Sequence, residues 1–238
     1  MKGTLYLVPS TLGEGALDAV VPMGVCKVAA SLDYYIVENA KSARAFLKKV
    51  HGVVPLQKAL QDIEMRELHV TTPALVWPEL LAPLRNGRSA GLLSEAGCPA
   101  VADPGAGLVA LAHAEEIRVR PLVGASSILL ALMASGLNGQ RFAFEGYLST
   151  DAEERRKRLV ALEARSRQEG QTQIVIETPY RNTVLLSALS QHLAAQTRVC
   201  VACDLSLDSE LIMTRTARQW RAAEIDLHRR PAIFLFQA

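Results

Sequence analysis

The sequence predicts an α/β protein of two domains, with a mostly parallel sheet in the N-terminal one and a mixed sheet in the C-terminal one. Three observations carry that expectation. Apolar strand-like runs lack the polar alternation of half-exposed strands, as befits strands covered on both faces. Between them stand segments with apolar residues three and four apart, the spacing of helices. After Arg141 the texture changes, and a strongly charged helix opens a second series of strands. The length of 238 residues fits one large or two small domains at about 150 residues each, and 50% hydrophobic content is ample for a core.

In chain order, "TLYLVP" (4–9), "DYYIVE" (33–38), "SAGLLSE" (89–95) and "IRVRPLV" (117–123) are the expected strands of the first half. "ARAFLKKV", "WPELLAPLRNG" and "GLVALAHAEE" are the helices between them. A turn at "GASS" then leads into a buried helix from about Ser126 to Ser135. The second half reads as "RFAFEGYL", the charged helix "DAEERRKRLVALEARSRQEG", the strand "QTQIVIET", the helix "RNTVLLSALSQHLAAQ" and the strand "RVCVACDL". A strand near Leu211 to Thr214 and a last one at "PAIFLFQ" complete it. The hinge is expected near residues 115–125, dividing the chain into domains of residues 1–121 and 122–238.

Composition narrows the function. With 26 Lys and Arg against 24 Asp and Glu, the net charge of +2 neither demands nor excludes a polyanionic partner. Four cysteines in a chain without a secretory leader pattern favour reduced thiols and a cytoplasmic location. Cys200 and Cys203 form C-V-A-C, but on a strand, where residues three apart point to opposite faces, so they read as buried small hydrophobes. The stretch 121–140 carries no charge, yet its proline, glycines and serines argue against a membrane span. The five histidines are scattered, and no metal cluster is expected.

Ligands of open α/β sheets bind beyond the carboxyl ends of the strands. Four such exits are rich in small or polar residues: "PSTLGEG" (9–15), "SEAGCPAVADPG" (94–105), "GASS" (124–127) and "ETPYR" (177–181). Glycine lets a ligand touch backbone N–H and C=O groups, and the acids at each end of the second loop offer acceptors. One such loop is ordinary loop chemistry, but four point to a cleft. "GAGLVA" (105–110) matches G-x-G-x-x-A, but the preceding strand ends about ten residues too early for a dinucleotide site.

The block "LLSEAGCPAVADPGAGLVALAHAEEIRVRPLVGASSILLALMASGLNGQRFAFEGYL" resembles the tetrapyrrole methylase superfamily, in its branch of 16S ribosomal RNA (cytidine-2'-O)-methyltransferases. That branch reads S-D-A-G-T-P, D-P-G, P-G-P-S-A, A-S-G-L-P and F-x-F-E-G-F-L. The matching segments here begin at Ser94, Asp103, Val123, Ala134 and Phe142. The likeness is strongest over 89–148 and extends more weakly to "GTLYLVPSTLGE", "RRKRLVALEA" and "IVIETPYR". By that resemblance the chain looks like a divergent, short member of the branch.

The resemblance implies two α/β domains with S-adenosyl-L-methionine in the cleft between them, usually in a homodimer, and an RNA or small ribosomal subunit as partner. Cofactor contacts are expected from Ser94, Glu95, Ala96, Gly97, Asp103, Gly105, Gly124, Ser126, Ser127, Thr178, Tyr180 and Cys203. The loop 94–105 holds no Lys or Arg, which suits a sulfonium. Substrate contacts are expected from Ser10, Thr11, Lys41 and Arg181, and Glu38 and Asp204 are the candidate bases for a hydroxyl acceptor, against the plainer reading as strand-end acids. Departures gather on the substrate side: Glu38-Asn39-Ala40-Lys41 stands for E-D-T-R, Cys203-Asp204-Leu205-Ser206-Leu207 for R-E-L-T-K, Thr11-Leu12-Gly13-Glu14 for P-I-G-N, and Thr178-Pro179-Tyr180-Arg181 for S-P-H-R. A ribose 2'-O-methyltransferase is therefore the leading expectation. A methyltransferase for a tetrapyrrole or other small molecule, and a cofactor-binding protein without transferase activity, are the alternatives. The cations of the charged helix, Arg155 to Arg158 with Arg165 and Arg167, read either as a solvated face or as a phosphate-binding surface.

Overall fold

A computed structural model describes residues 1–238. The chain forms two compact units, Met1–Ser126 and Ser127–Ala238.

The first unit carries β1 (Thr4–Leu7), α1 (Leu17–Val20), α2 (Met23–Ser31), β2 (Tyr34–Val37), α3 (Ala40–Val53), β3 (Glu64–Glu67), α4 (Trp77–Arg85), β4 (Ala90–Leu93), α5 (Ala106–Ala114) and β5 (Arg118–Pro121). Its five strands are all parallel, in the order β3-β2-β4-β1-β5. The central strands β2 and β4 are buried throughout, as their unbroken apolar runs require. Their two faces feed separate cores: Tyr35, Val37 and Leu93 join Phe46 and Leu47 of α3 on one side, while Tyr34, Ile36 and Leu92 meet Leu81 and Leu84 of α4 on the other. The buried tyrosines keep their hydroxyls satisfied, Tyr34 donating to the Leu80 carbonyl at 2.9 Å and Tyr35 to the Ala29 carbonyl at 2.6 Å.

Three elements of this unit were not anticipated, the one-turn helix α1 among them. Strand β3, "EMRE", has no apolar run because it lies at the sheet edge and pairs only with β2. Helix α2 was hidden by its small residues; Val25, Cys26, Ala29 and Ala30 nevertheless turn one buried face to the core.

The second unit carries α6 (Ser127–Ser135), β6 (Phe142–Tyr147), α7 (Ala152–Glu169), β7 (Thr172–Ile176), α8 (Asn182–His192), β8 (Arg198–Cys203), β9 (Leu211–Thr216), α9 (Ala217–Trp220) and β10 (Ala232–Gln237). The sheet order is β6-β7-β10-β8-β9. Only β6 and β7 are parallel, and the other pairs are antiparallel. This is the mixed sheet expected of the second half. Its core gathers Leu159 and Leu162 of α7, Leu185 and Leu189 of α8, and Phe234 and Phe236 of β10. Trp220 enters it with its ring N–H bonded to the Val199 carbonyl at 2.8 Å. Cys200 and Cys203 are both fully buried, and of the two Cys203 belongs to this cluster, in keeping with opposite faces of the strand. No helix is long and apolar enough to cross a membrane.

Candidate active site

In the first unit the carboxyl ends of β2, β4 and β1 lie side by side, because the three are parallel neighbours. Backbone hydrogen bonds continue past the strands and lock their exits together. The Val8 N–H donates to the Leu92 carbonyl at 2.9 Å, the Glu38 N–H to Leu93 at 3.1 Å, and the Ser10 N–H to Gly97 at 2.9 Å. Ser10, Glu38 and the loop after Leu93 are thus held as one rim.

Side chains complete it. Glu38 accepts the Glu95 N–H at 3.2 Å, and the Ser42 hydroxyl donates to the Glu95 carboxylate at 3.0 Å. Asn39 starts α3 by accepting the N–H groups of Lys41 and Ser42 at 2.9 and 3.1 Å, a side-chain cap that an amide supplies as well as a carboxylate. This accounts for the tolerance of Asn where the resembled family has Asp. The first turns of α3 then form one wall of a cleft of about 530 Å³, whose other walls are Ser10 to Glu14 and Ser94 to Ala96. That volume suits a nucleotide-sized ligand. Of the expected residues, Ser10, Thr11, Lys41, Ser94, Glu95 and Ala96 line it. Asn39, Ser42, Phe46 and Lys49 also line it and were not anticipated, although their spacing from Lys41 puts Ser42, Ala45 and Lys49 along one helical flank. Lys49 reaches across to Glu14 at 3.0 Å.

The loop 94–105 is shaped by two glycines in the left-handed half of backbone space. Gly97 has φ +69° and packs under Leu12; Gly105, at φ +130°, leads into α5, and a Cβ there would stand 2.9 Å from Leu92 Cδ2. Gly107, the second glycine of the apparent dinucleotide signature, makes room for an indole instead: its Cβ would lie 2.3 Å from Trp77 Cη2. Gly124 similarly admits Pro9.

Between the glycines stands Asp103, whose carboxyl group is pushed up to about 6. Burial is the main cause, a hydrogen bond from the Ser94 hydroxyl opposes it, and the nearby carboxylates of Glu38 and Glu95 add to it. The Ser94 hydroxyl also lies 3.4 Å from the Ala96 carbonyl, a poorer acceptor than the carboxylate. The loop is therefore an acidic rim without a cation of its own. Cys98 makes no nucleophile, since burial raises its thiol and its Sγ points to the Ala125 carbonyl at 3.4 Å. Ser126 closes the first unit and Ser127 begins α6.

In the second unit the carboxyl ends of β6, β7 and β8 share one sheet edge with the start of β10. Here Thr178, Tyr180, Arg181, Cys203 and Asp204 are found, and their polar groups are largely engaged. Arg181 pairs with the buried Glu177 at 3.5 Å, and Glu177 also accepts the Thr178 N–H at 2.8 Å. Asp204, buried at φ +50°, accepts from Arg230 Nε at 2.8 Å and from the Ser209 hydroxyl at 2.9 Å. Burial, reinforced by Asp204, pushes the Cys203 thiol up to about 11, so it stays protonated. Tyr180 is exposed, with the Arg229 guanidinium 5.6 Å from its ring centroid.

Helix α7 leaves only one of its six cations, the exposed Arg167, without a partner. Arg155 is buried and donates to the Ser149 and Thr150 carbonyls, Arg156 and Lys157 pair with Glu153, and Arg158 and Arg165 both pair with Glu145.

Comparison with known proteins fits these features. The family of tetrapyrrole (corrin/porphyrin) methylases matches residues 31–220. A Synechocystis protein named ribosomal RNA small subunit methyltransferase I is 33% identical over 204 residues, covering 86% of this chain and 67% of that protein. A Mesorhizobium japonicum protein of the same name is 31% identical, covering 92% of this chain and 69% of its own length. Among solved structures, diphthine synthase aligns with a TM-score of 0.69 at 12% identity, over 99% of this chain and 89% of that one. Cobalt precorrin-4 methyltransferase aligns at 0.61 and 14% identity, over 98% and 94%. At such identities the structural likeness speaks for the fold, while the sequence relatives and the family match place the chain among the tetrapyrrole methylases, S-adenosylmethionine-dependent methyltransferases.

Proposed function

We propose that the protein methylates ribosomal RNA of the small subunit, at a ribose 2'-hydroxyl, with S-adenosylmethionine as donor. The observation that carries this reading is the joining of two unlike surfaces at one sheet edge: the acidic, glycine-shaped loop 94–105 and the polar cleft beside it. The relatives named ribosomal RNA small subunit methyltransferase I support the choice of substrate.

The loop residues fit the cofactor chemically. Its positively charged amine and sulfonium groups favour Glu95 and Asp103 and the absence of Lys and Arg from the loop, and Gly97 and Gly105 leave backbone groups open to close approach. Ser94, Ala96, Gly124 and Ser126 of the adjoining exits complete the set assigned in this unit. When bound, the cofactor supplies an electrophilic methyl group.

The chain's own task is then to hold an acceptor oxygen in line and receive its proton. Alignment is the larger contribution to such a transfer. Ser10, Thr11 and Lys41, which line the cleft, are assigned to substrate. Glu38 is assigned as the base: it stands on the rim, and its carboxylate accepts only one hydrogen bond, the long one from the Glu95 N–H. Asp204, held by Arg230 and Ser209, is assigned to fixing the β8 exit rather than to proton transfer.

The decisive experiment offers tritiated S-adenosylmethionine to undermethylated 30S particles and to tetrapyrroles. Label in ribosomal RNA, recovered after alkaline hydrolysis in an alkali-resistant dinucleotide because a 2'-O-methyl ribose cannot attack its own phosphodiester, is the expected result. Label in a small molecule alone, or cofactor binding with no transfer, overturns the reading.

A further inference from the structure

We infer that the exposed flank of α3 is a phosphate track that carries the single-stranded RNA next to the target nucleotide, an inference that rests on the ribosomal RNA reading above. Helix α3 holds Lys41, Arg44, Lys48, Lys49 and His51 and no acid. Its buried face is Ala43, Phe46, Leu47 and Val50. At 100° per residue, Lys41, Arg44 and Lys48 fall within about 60° of one another on the opposite flank, along about 10 Å of helix.

What distinguishes these three is that all are exposed and their side chains make no hydrogen bond or ion pair. The acids around them are engaged elsewhere. Glu14 pairs with Lys49, and Asp33 with Lys58 and Arg88. Glu67 accepts the Ala40 N–H and bonds His69; Arg44 is near enough to help lower its carboxyl group but forms no ion pair with it. A row of unneutralised cations is the surface on which counterion release favours a polyanion.

The row also leads somewhere. Lys41 lines the candidate active-site cleft, and Lys48 lines a second groove of about 370 Å³ with His51, Gln57 and Lys58. Arg44 stands between them on the helix. A strand whose target nucleotide enters the first cleft would thus lay its following phosphates on Arg44 and Lys48 and reach a groove wide enough for a nucleotide. The contacts are to phosphates, so they position the strand without reading its bases.

The test compares two double variants of the full chain in binding an RNA fragment of the small-subunit target region, from about 50 to 200 mM salt. Arg44→Gln with Lys48→Gln removes two cations from α3; Arg156→Gln with Lys157→Gln removes two already paired ones from α7. The α3 variant is expected to bind roughly tenfold more weakly, and its plot of log affinity against log salt to be shallower by about 1.4, the share of two phosphates on a single strand. The α7 variant should differ less than twofold from the parent. Equal losses in both variants, or an unchanged α3 variant beside a parent that binds and methylates RNA, would overturn the track alone. So would an α3 variant that keeps its RNA affinity but no longer associates with intact 30S particles, which would make the flank a protein-docking surface. A parent protein that binds no RNA and transfers no label to it would overturn both the track and the function.

Discussion

The two sheets end in acids, yet the acids differ in what surrounds them. In the first unit Glu38, Glu95 and Asp103 crowd one rim with the Ser42 and Ser94 hydroxyls and the Glu95 N–H for company. In the second, Glu177 and Asp204 are buried against Arg181 and Arg230. Like charges without a cation make a place that gains by receiving a positive ligand, whereas a neutralised pair already has its partner and serves to hold a loop. The first sheet is therefore built to bind at its edge and the second to shape its own.

Exchanging acid for amide separates the two cases. Glu38→Gln should lower turnover about 100-fold, at the lower end of what loss of a general base costs, with an unchanged unfolding midpoint. Asp204→Asn should do the reverse. It keeps a side chain that tolerates positive φ, but leaves Arg230 short of its countercharge, so stability in urea should fall by about 2 kcal/mol while turnover of the folded fraction stays within about twofold. A turnover loss confined to Asp204→Asn would reverse the comparison.

Asp103 sharpens it through pH. Its folded value of about 6 lies above the ordinary carboxylate range, so the native state binds the proton more tightly than the unfolded one. Its stabilising contribution is present below about 4 and is lost as pH rises through about 6. Cofactor affinity should run the other way, rising roughly tenfold from pH 5 to 7 as the carboxylate forms, and titration calorimetry of Asp103→Asn should show that dependence flattened. Gly97→Ala tests the backbone of the same rim: a side chain at φ +69° meeting Leu12 at 3.2 Å should cost about 1–2 kcal/mol in denaturant unfolding. The smallest effect belongs to the paired cations of the second unit, where Lys157→Gln should change stability by less than about 0.5 kcal/mol.

Helices α3 and α7 repeat the lesson in cations. Read along the chain, α7 is the more basic-looking helix, with four consecutive cations from Arg155 to Arg158. Folded, four of its six cations meet Glu145 or Glu153, a fifth turns inward to cap carbonyls and only Arg167 is unpaired, while α3, with fewer charges, leaves three unpaired. Glu145 lies on β6, twenty residues before Arg165, and no local pattern announces that meeting.

Local order determined much of this protein. Unbroken apolar runs such as "YYIV" and "AGLL" require strands covered on both faces, three- and four-residue spacing sets the helices, and the glycines and acids after Leu93 mark a ligand loop. These follow from neighbours in sequence, where periodicity and backbone freedom act. The edge strand β3 and the small-residue helix α2 escaped because their identity depends on what they pack against. Only tertiary structure decided which charges are neutralised, that Asn39 and Ser42 join the cleft, and that Gly107 serves Trp77. Electrostatic pairing and close packing depend on distance in space, and the sheet order β3-β2-β4-β1-β5 sets those distances among residues far apart in the chain.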